Sequence, residues 1–172
     1  MNSYNIASST DALEALPLFQ MTRFSQLLQS ADSPVLISVH PFFAAEIAAG
    51  RKRVEFRRRW SNKPTGALVV YATAPIKAIV AVVEVAQVRR ESNTQLWEIC
   101  KSFGGAITRA RLREYMHDLD QGVAILLGRL FVPKIEVSPQ LAFGGDFVPP
   151  QSYRYLRPEE VDSLIELFGE QK

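Results

Sequence analysis

A proline, a glycine and a change of periodicity divide residues 40–60 into a helix followed by a strand. Pro41 suits the first helical turn, where its missing N–H is not needed and its fixed φ is already helical. Gly50 suits the left-handed position at which helices commonly end. Apolar and charged residues then alternate, which predicts a strand with two different faces. The alternating residues are Arg53, Val54, Glu55, Phe56 and Arg57.

Positive charge is concentrated in and after this strand. Residues 51–63 hold seven basic side chains and one acid, whereas the whole chain has a net charge of only +2. The basic residues are Arg51, Lys52, Arg53, Arg57, Arg58, Arg59 and Lys63. Such a patch is typical of an anion-binding site, but Lys and Arg also protect exposed strand edges against pairing. Both interpretations remain open at this point.

Other short apolar runs predict the remaining strands of a sheet. These runs are Pro34–Val39, Gly66–Ala72, Ile76–Val88, Val123–Val132 with a bulge at Gly128, and Gln151–Leu156. Two capped helices are predicted within residues 92–121, beginning after Ser92 and Thr108, and another begins at Pro158. Tyr115 is placed with Leu112 and Met116 in one apolar helical stripe. This order predicts an α+β fold, with a small β-barrel and surrounding helices.

The first 33 residues are predicted to form a partly helical N-terminal extension, and residues 34–172 the domain itself. One short helix is expected from Thr10 to about Leu18, where Pro17 limits it. A second is expected from Thr22, with Phe24, Leu27 and Leu28 at helical spacing. The extension can pack on the barrel, form dimer contacts or bind a protein partner, and packing is the favoured role.

Composition excludes several classes of protein. A single cysteine, Cys100, allows no internal disulfide and favours a reducing compartment. No signal peptide is recognisable, and no apolar run reaches the roughly 18 residues that a membrane helix needs. The sequence therefore predicts a cytoplasmic protein that does not contact membranes.

Metal and nucleotide motifs are also missing from the sequence. Two histidines and one cysteine are too few for a zinc site, and no P-loop or dinucleotide fingerprint is present. No nucleophile elbow supports a Ser–His–acid triad. We therefore expect no cofactor and no metal.

Cations and aromatic rings are what remains for a binding site. Arginines bind phosphate in fork geometry, and aromatic faces stack on bases. The candidate ligand-binding residues are His40, Lys52, Glu55, Arg57, Arg58, Arg59, Trp60, Tyr71, Lys77, Tyr153 and Arg154. Arg109, Arg111 and Arg113 begin a predicted helix, where the helix dipole disfavours cations unless they face an anion. Core packing and ordinary surface charge are the alternatives for each of these residues.

Residues 41–57 resemble the signature of ASCH domains, which are small barrels of the PUA-like superfamily. The signature is a helix followed by Gly-x-Lys-x-x-Glu-x-Arg, which corresponds here to Gly50, Lys52, Glu55 and Arg57. Residues 69–85 and 147–156 resemble later parts of the same family, so the resemblance covers about residues 34–157. It implies a barrel whose ligand cleft lies beside Lys52, Glu55 and Arg57.

The resemblance implies an RNA-binding or nucleotide-binding module, with a hydrolase as the alternative. Some similar proteins are amidohydrolases that act on acetylated cytidine with a Lys, a Thr and a Glu, whereas others bind or cut RNA. Lys52 corresponds to that Lys and Glu84 to that Glu, but Glu55 occupies the Thr position. The candidate catalytic residues are therefore Lys52, Glu55 and Glu84. If the strand begins as early as Lys52, alternation points this lysine into the barrel, as a catalytic group or as half of an ion pair.

Overall fold

The structure, a computed structural model, describes residues 24–169. Within this range six strands form one sheet. They are β1 (Val35–Val39), β2 (Val54–Arg57), β3 (Ala67–Ala72), β4 (Ala78–Ser92), β5 (Gln121–Phe131) and β6 (Tyr153–Tyr155). The strand order is β2-β5-β4-β3-β1-β6, with β1 and β3 parallel and all other neighbours antiparallel. The predicted α+β class is confirmed.

Six helical segments in the described residues surround the sheet. They are α1 (residues 24–30), α2 (Pro41–Ala48), α3 (Asn93–Phe103), α4 (Arg109–Tyr115), α5 (Pro139–Phe143) and α6 (Pro158–Gly169). Ser92 and Gln95 form the predicted capping box of α3, and Thr108 caps α4. Helix α5 was not predicted, because residues 139–143 were assigned to no element. The helix predicted from Thr10 lies outside the described residues.

The sheet curls so that its inner face becomes the centre of a barrel. Alternate residues of four strands form this inner core: Val35, Ile37, Val39, Leu68, Val70, Ala72, Ala81, Val83, Val123, Ile125 and Leu127. Side chains join the edge strand β2 to β1, and the segment after β2 to β6. Arg57 donates to the carbonyl oxygen of Ser38 at 2.8 Å, and the Trp60 ring lies 4.0 Å from that of Tyr153. Within residues 24–169, no backbone pairing joins the edge strands β2 and β6, so the barrel is open between them.

Helices cover the outer face of the sheet in two groups. Helices α1, α5 and α6 enclose a cluster that includes Phe24, Leu28, Tyr71 and Phe168. Helices α3 and α4 cover the outer side of β2 and β5 through a second cluster. Phe24, Leu27 and Leu28 are buried in the first of these clusters, so the described residues before β1 pack on the sheet.

The predicted bulge at Gly128 is confirmed. The pairing between β4 and β5 changes register between Val83 and Val85, directly opposite residues 127–130. A Cβ atom at Gly128 would lie 2.7 Å from Oε2 of Glu84, so a larger residue would require this carboxylate to move. No helix in the described part of the chain is long and apolar enough to cross a membrane.

Candidate functional site

An open cavity of about 480 Å³ lies where the ends of β1 and β2 meet helices α2 and α4. Its lining residues are Ser38, Val39, His40, Phe43, Lys52, Glu55, Phe56, Arg57, Ile107, Arg111, Glu114 and Tyr115. Four of the predicted ligand-binding residues, His40, Lys52, Glu55 and Arg57, are therefore brought together. We refer to this site below as the cavity.

Helix α2 provides one wall of the cavity. His40 is its N-cap, and Nδ1 of the imidazole accepts a hydrogen bond from the backbone N–H of Phe42 at 3.2 Å. A neutral ring in this geometry carries its proton on Nε2, which is then available as a donor at the exposed mouth. The ring of Phe43 continues the same wall.

Lys52 lies buried at the base of the cavity, with only 4% of its surface exposed. Its Nζ donates to the carbonyl oxygen of Gly105 at 2.7 Å and lies 3.4 Å from Oε2 of Glu55. It also faces the rings of Phe43 and Phe56, at 5.0 and 5.4 Å from their centroids. Because β2 begins only at Val54, Lys52 precedes the strand and is held by the loop after Gly50.

Glu55 and Arg57 continue this charged group on the inner face of β2. Oε1 of Glu55 lies 3.1 Å from a guanidinium nitrogen of Arg57, and both side chains are about 90% buried. Arg57 also donates to Ser38 and, at 3.4 Å, to Oγ of Ser152. Its buried Nε has no hydrogen-bond partner among the described residues. Two buried cations thus share one carboxylate, and we call Lys52, Glu55 and Arg57 the buried charge cluster.

Helix α4 forms the opposite wall with residues that sequence analysis did not assign to the cavity. Arg111, Glu114 and Tyr115 line it, and the Arg111 guanidinium lies 5.8 Å from the Phe43 ring centroid. The placement of Tyr115 in the apolar stripe was wrong. Leu112 and Met116 are buried, whereas Tyr115 is 39% exposed, because it lies off the stripe that faces the sheet. Arg111, one of the three arginines noted in the sequence of α4, was the signal for this wall.

The run Arg57–Trp60 does not form one continuous patch. Arg58 donates to the carbonyl oxygens of Tyr115 and His117 and forms an ion pair with Asp118 at 2.8 Å, so it ties the strand to the end of α4. Arg59 is exposed, and Trp60 is buried against Tyr153. The strand ends at Arg57 and the chain bends at Arg58, so these neighbouring side chains have different surroundings.

Other predicted binding residues lie outside the cavity lining. Tyr71 is buried in the outer core under α1 and α6, and Lys77 is exposed at the turn before β4. Arg154 forms an ion pair with the buried Glu160 of α6 at 2.7 Å. Tyr155 lies beneath the ammonium group of Lys63. The buried and paired side chains among these residues contribute to the fold, and none of them lines the cavity.

Glu84 is separate from the cavity. Its carboxylate pairs with Arg129 on the adjacent strand at 2.9 Å. Hydrogen bonds from the Arg129 side chain lower the pKa of Glu84, and partial burial only reduces that shift. A cationic partner on the neighbouring strand therefore holds this acid. Within residues 24–169, no group of three or more His, Cys, Asp or Glu side chains could hold a metal ion.

Comparison with known protein families and curated proteins identifies similar proteins. The model of the ASCH domain family matches residues 37–128, which include the end of β1 and all of α2, β2 and α4. A curated relative from Zymomonas mobilis, named an ASCH domain-containing ribonuclease, is 29% identical over 136 residues, covering 77% of this chain and 90% of the relative.

Solved structures match the fold as well. The crystal structure of ASCH from Zymomonas mobilis has a TM-score of 0.71 and 28% identity, over 78% of this chain and 95% of that one. A point-substituted variant of that protein has a TM-score of 0.71 and 27% identity, over 78% and 98% of the two chains.

Proposed function

The chain belongs to the ASCH domain family, and we propose that it binds RNA, with one nucleotide held in the cavity. The relative from Zymomonas mobilis is named a ribonuclease, so RNA is the ligand that the comparison suggests. The observation that carries the proposal is the buried charge cluster at the base of an open cavity.

The buried charge cluster favours an anionic ligand. Burial of a charge is costly unless a partner compensates it, and Lys52 and Arg57 have one carboxylate, Glu55, between them. A phosphate would supply the second negative charge and accept charge-assisted hydrogen bonds, including one from the unpartnered Nε of Arg57. Arg111 adds a further cation at the wall.

The remaining lining suits a nucleotide better than free phosphate. Phe43 and Tyr115 lie on opposite walls and offer ring faces on which a base can stack. Nε2 of His40 can donate to a phosphate oxygen. Glu114 has no ion-pair partner among the described residues, so its carboxylate can accept a hydrogen bond from a ribose 2′-hydroxyl, the group that distinguishes RNA from DNA.

Equilibrium binding of labelled oligonucleotides tests the proposal. Single-stranded RNA, single-stranded DNA of the same sequence and duplex RNA are titrated by fluorescence anisotropy at two salt concentrations, with the wild type, Arg111→Gln and Lys134→Gln. Lys134 is exposed outside the cavity and serves as the matched loss of one charge. We expect salt-sensitive binding of single-stranded RNA that Arg111→Gln weakens and Lys134→Gln does not. Equal loss in both variants, or no binding at all, would contradict the proposal.

RNA cleavage is a second candidate function, favoured by the name of the Zymomonas relative and by the mixture of acid and base groups in the cavity. The 2′-oxygen of the RNA attacks the adjacent phosphorus, and the bond from phosphorus to the 5′-oxygen breaks. Glu114 would accept the 2′-hydroxyl proton, and the imidazolium form of His40, with its Nδ1 released from the hydrogen bond to Phe42, would protonate the departing 5′-oxygen through Nε2. Lys52 and Arg57 would stabilise the negative charge on phosphorus oxygens. The products are a 2′,3′-cyclic phosphate and a 5′-hydroxyl.

One substrate substitution separates cleavage from binding. An RNA with a single 2′-deoxy nucleotide should bind with little change but resist cutting at that position, because it lacks the attacking oxygen. Glu114→Gln should lower the cleavage rate more than it lowers affinity. Cutting that persists at the 2′-deoxy position would contradict this mechanism.

Amide hydrolysis of a modified nucleoside has weaker support. It would use Glu84, which the ion pair with Arg129 holds outside the cavity. Turnover of an acylated nucleoside that Glu84→Gln abolishes would restore that alternative.

We also propose that the protein acts in the cytoplasm, the reducing compartment favoured by its single thiol, which cell fractionation would test. Residues 1–33, proposed as an extension of the domain at 34–172, could bind a protein partner. Loss of that partner on deletion of residues 1–23 is the corresponding test.

A further inference from the structure

Helix α4 separates the cavity from a second concave surface on its other side. This surface has a volume of about 520 Å³ and lies between α3 and α4. Arg109, Arg113 and His117 line one side, and Thr94 and Trp97 of α3 line the other. We call it the α3–α4 groove. Of the candidate binding residues singled out in the sequence, only Arg109 and Arg113 lie in it.

The arginines of the groove have no ion-pair partner within residues 24–169, although seven of the thirteen arginines in that range are paired. Arg51 pairs with Glu46 and Arg58 with Asp118, for example. Arg109 and Arg113 are exposed and four residues apart, so their side chains project from the same side of α4. Arg109 also occupies the first position of the helix, where the dipole disfavours a cation. Two unpaired cations that face one concavity form a site for anions.

The opposite side of the groove adds an aromatic ring. Trp97 is half-buried, with its indole packed partly against the outer core and partly open to the groove. An indole face beside two guanidinium groups is the combination that single-stranded nucleic acid uses, since the base stacks on the ring while the arginines hold the backbone. Free phosphate or an acidic peptide would make no use of the indole face.

Arg111 lies between the two sites and connects them. It lines the cavity, whereas Arg109 and Arg113 line the groove, so three arginines of one short helix lead from one site to the other. A helix with its side chains is about 10 Å across, so only a strand of several nucleotides can reach both sites. Each site alone is large enough for about one nucleotide.

We propose that the α3–α4 groove is a second RNA subsite, which binds phosphates and one base of the same strand, several nucleotides from the one that occupies the cavity. This inference rests on the proposed function, because it assigns the path of the RNA beyond the cavity. Mononucleotides should therefore bind independently of the groove, and longer strands should depend on it.

The test compares ligands of two lengths with the double variant Arg109→Gln/Arg113→Gln. The ligands are a nucleoside monophosphate and a single-stranded RNA of about eight nucleotides, within the range that one such domain covers. For the longer RNA, we expect about tenfold or greater loss of affinity and a salt slope smaller by about 1.4, because two phosphate contacts are lost. The monophosphate should bind with unchanged affinity. Lys134→Gln, which removes one exposed charge outside both sites, should leave both ligands unaffected.

Tryptophan fluorescence provides a second readout that general loss of charge would not change. The chain has two tryptophans, Trp60 and Trp97. In a Trp60→Phe variant the emission reports on Trp97 alone, and the octanucleotide should quench it while the monophosphate should not. Circular dichroism of each variant checks that its fold is retained.

The outcomes distinguish the two proposals. Suppose that Arg111→Gln weakens binding of the octanucleotide, whereas the double variant binds it as the wild type does and the Trp97 emission does not change. The groove is then not a subsite, and RNA binding by the cavity stands. If the wild type binds neither RNA nor the monophosphate, both proposals fall. Equal weakening of the monophosphate and the octanucleotide by the double variant would also overturn the second subsite.

Discussion

Nζ of Lys52 donates a hydrogen bond of 2.7 Å to the carbonyl oxygen of Gly105, which lies in the loop that joins α3 to α4. This bond ties the segment before β2 to the helix that forms the far wall of the cavity. A Cβ atom at residue 105 would lie 2.9 Å from the Phe56 ring and closer still to Sγ of Cys100. The loop is therefore tightly packed at Gly105. The hydrogen bond from Lys52 to this loop helps to fix the position of α4.

Lys52→Met should weaken both the fold and the binding of RNA. The substitution keeps the apolar stem but leaves the carbonyl oxygen of Gly105 without a donor and Glu55 with one cation fewer. We expect a loss of about 1–3 kcal/mol in the free energy of unfolding, the usual cost of an unsatisfied buried polar group. Urea unfolding measures the stability, and anisotropy with single-stranded RNA measures the affinity. An unchanged midpoint together with unchanged affinity would contradict the role assigned to Lys52.

Gly50→Ala should lower stability through backbone conformation alone. Gly50 has a φ of +71°, and the atom nearest to an added Cβ would be 4.0 Å away, so no clash arises. We expect a cost of about 1 kcal/mol for alanine and a smaller one for asparagine, which adopts this conformation more readily. The comparison is made by thermal or urea unfolding. Equal stability of the alanine variant and the wild type would show that the helix end tolerates a Cβ.

Glu160 should make the stability of the protein depend on pH in acid. Burial raises the pKa of this carboxyl group, but hydrogen bonds from Arg154 and Arg157 outweigh it and lower the pKa to about 2, from 4.5. The folded-state pKa lies below the unfolded value, so the stabilisation is complete above about pH 5 and is lost as the pH falls toward 2. It amounts to about 3 kcal/mol at pH 7 and about 1 kcal/mol at pH 3.

Comparison of Glu160→Gln with the wild type between pH 7 and pH 3 measures this contribution. The difference in unfolding free energy should be largest at pH 7 and shrink in acid. Glu159→Gln is the control, because Glu159 is exposed and contacts only Arg157 at 3.3 Å. A difference between Glu160→Gln and the wild type that stays constant with pH would contradict the expected linkage.

Glu55 and Glu84, both named as candidate acids, should respond differently to substitution. Glu55→Gln leaves Lys52 and Arg57 without their shared carboxylate, so we expect lower stability and altered RNA affinity. Glu84→Gln disrupts only the partly exposed pair with Arg129, worth about 0.2–1 kcal/mol, and should leave RNA affinity unchanged. Anisotropy and urea unfolding on both variants provide the comparison. Loss of RNA binding in Glu84→Gln would return this residue to the site.

The sequence predicted helix ends that are set by residues near one another in the chain. Pro41 and Gly50 bound α2 closely, and Ser92 with Gln95 marked the start of α3, because caps and positive-φ positions involve residues near in sequence. Helix α5 escaped prediction because five residues show too little periodicity to be distinguished from a loop.

The composition of the cavity depended on distant contacts, and so it was predicted only in part. The family signature placed Lys52, Glu55 and Arg57 together, and the structure agrees. It carried no information on which face of α4 turns toward them, so Glu114 and Tyr115 were missed. Trp60 and Tyr71 were equally plausible as ring faces, and only the packing against Tyr153 and the outer core shows them to be buried.

Mapping of bound RNA on the protein tests the central claim most directly. Amide chemical shifts are recorded by NMR while a short single-stranded RNA is titrated into the ¹⁵N-labelled protein. The account predicts that the largest changes fall at residues 38–43, 52–57 and 107–115, the three segments that line the cavity. Changes confined to another surface, such as α6, or no changes at all, would contradict it.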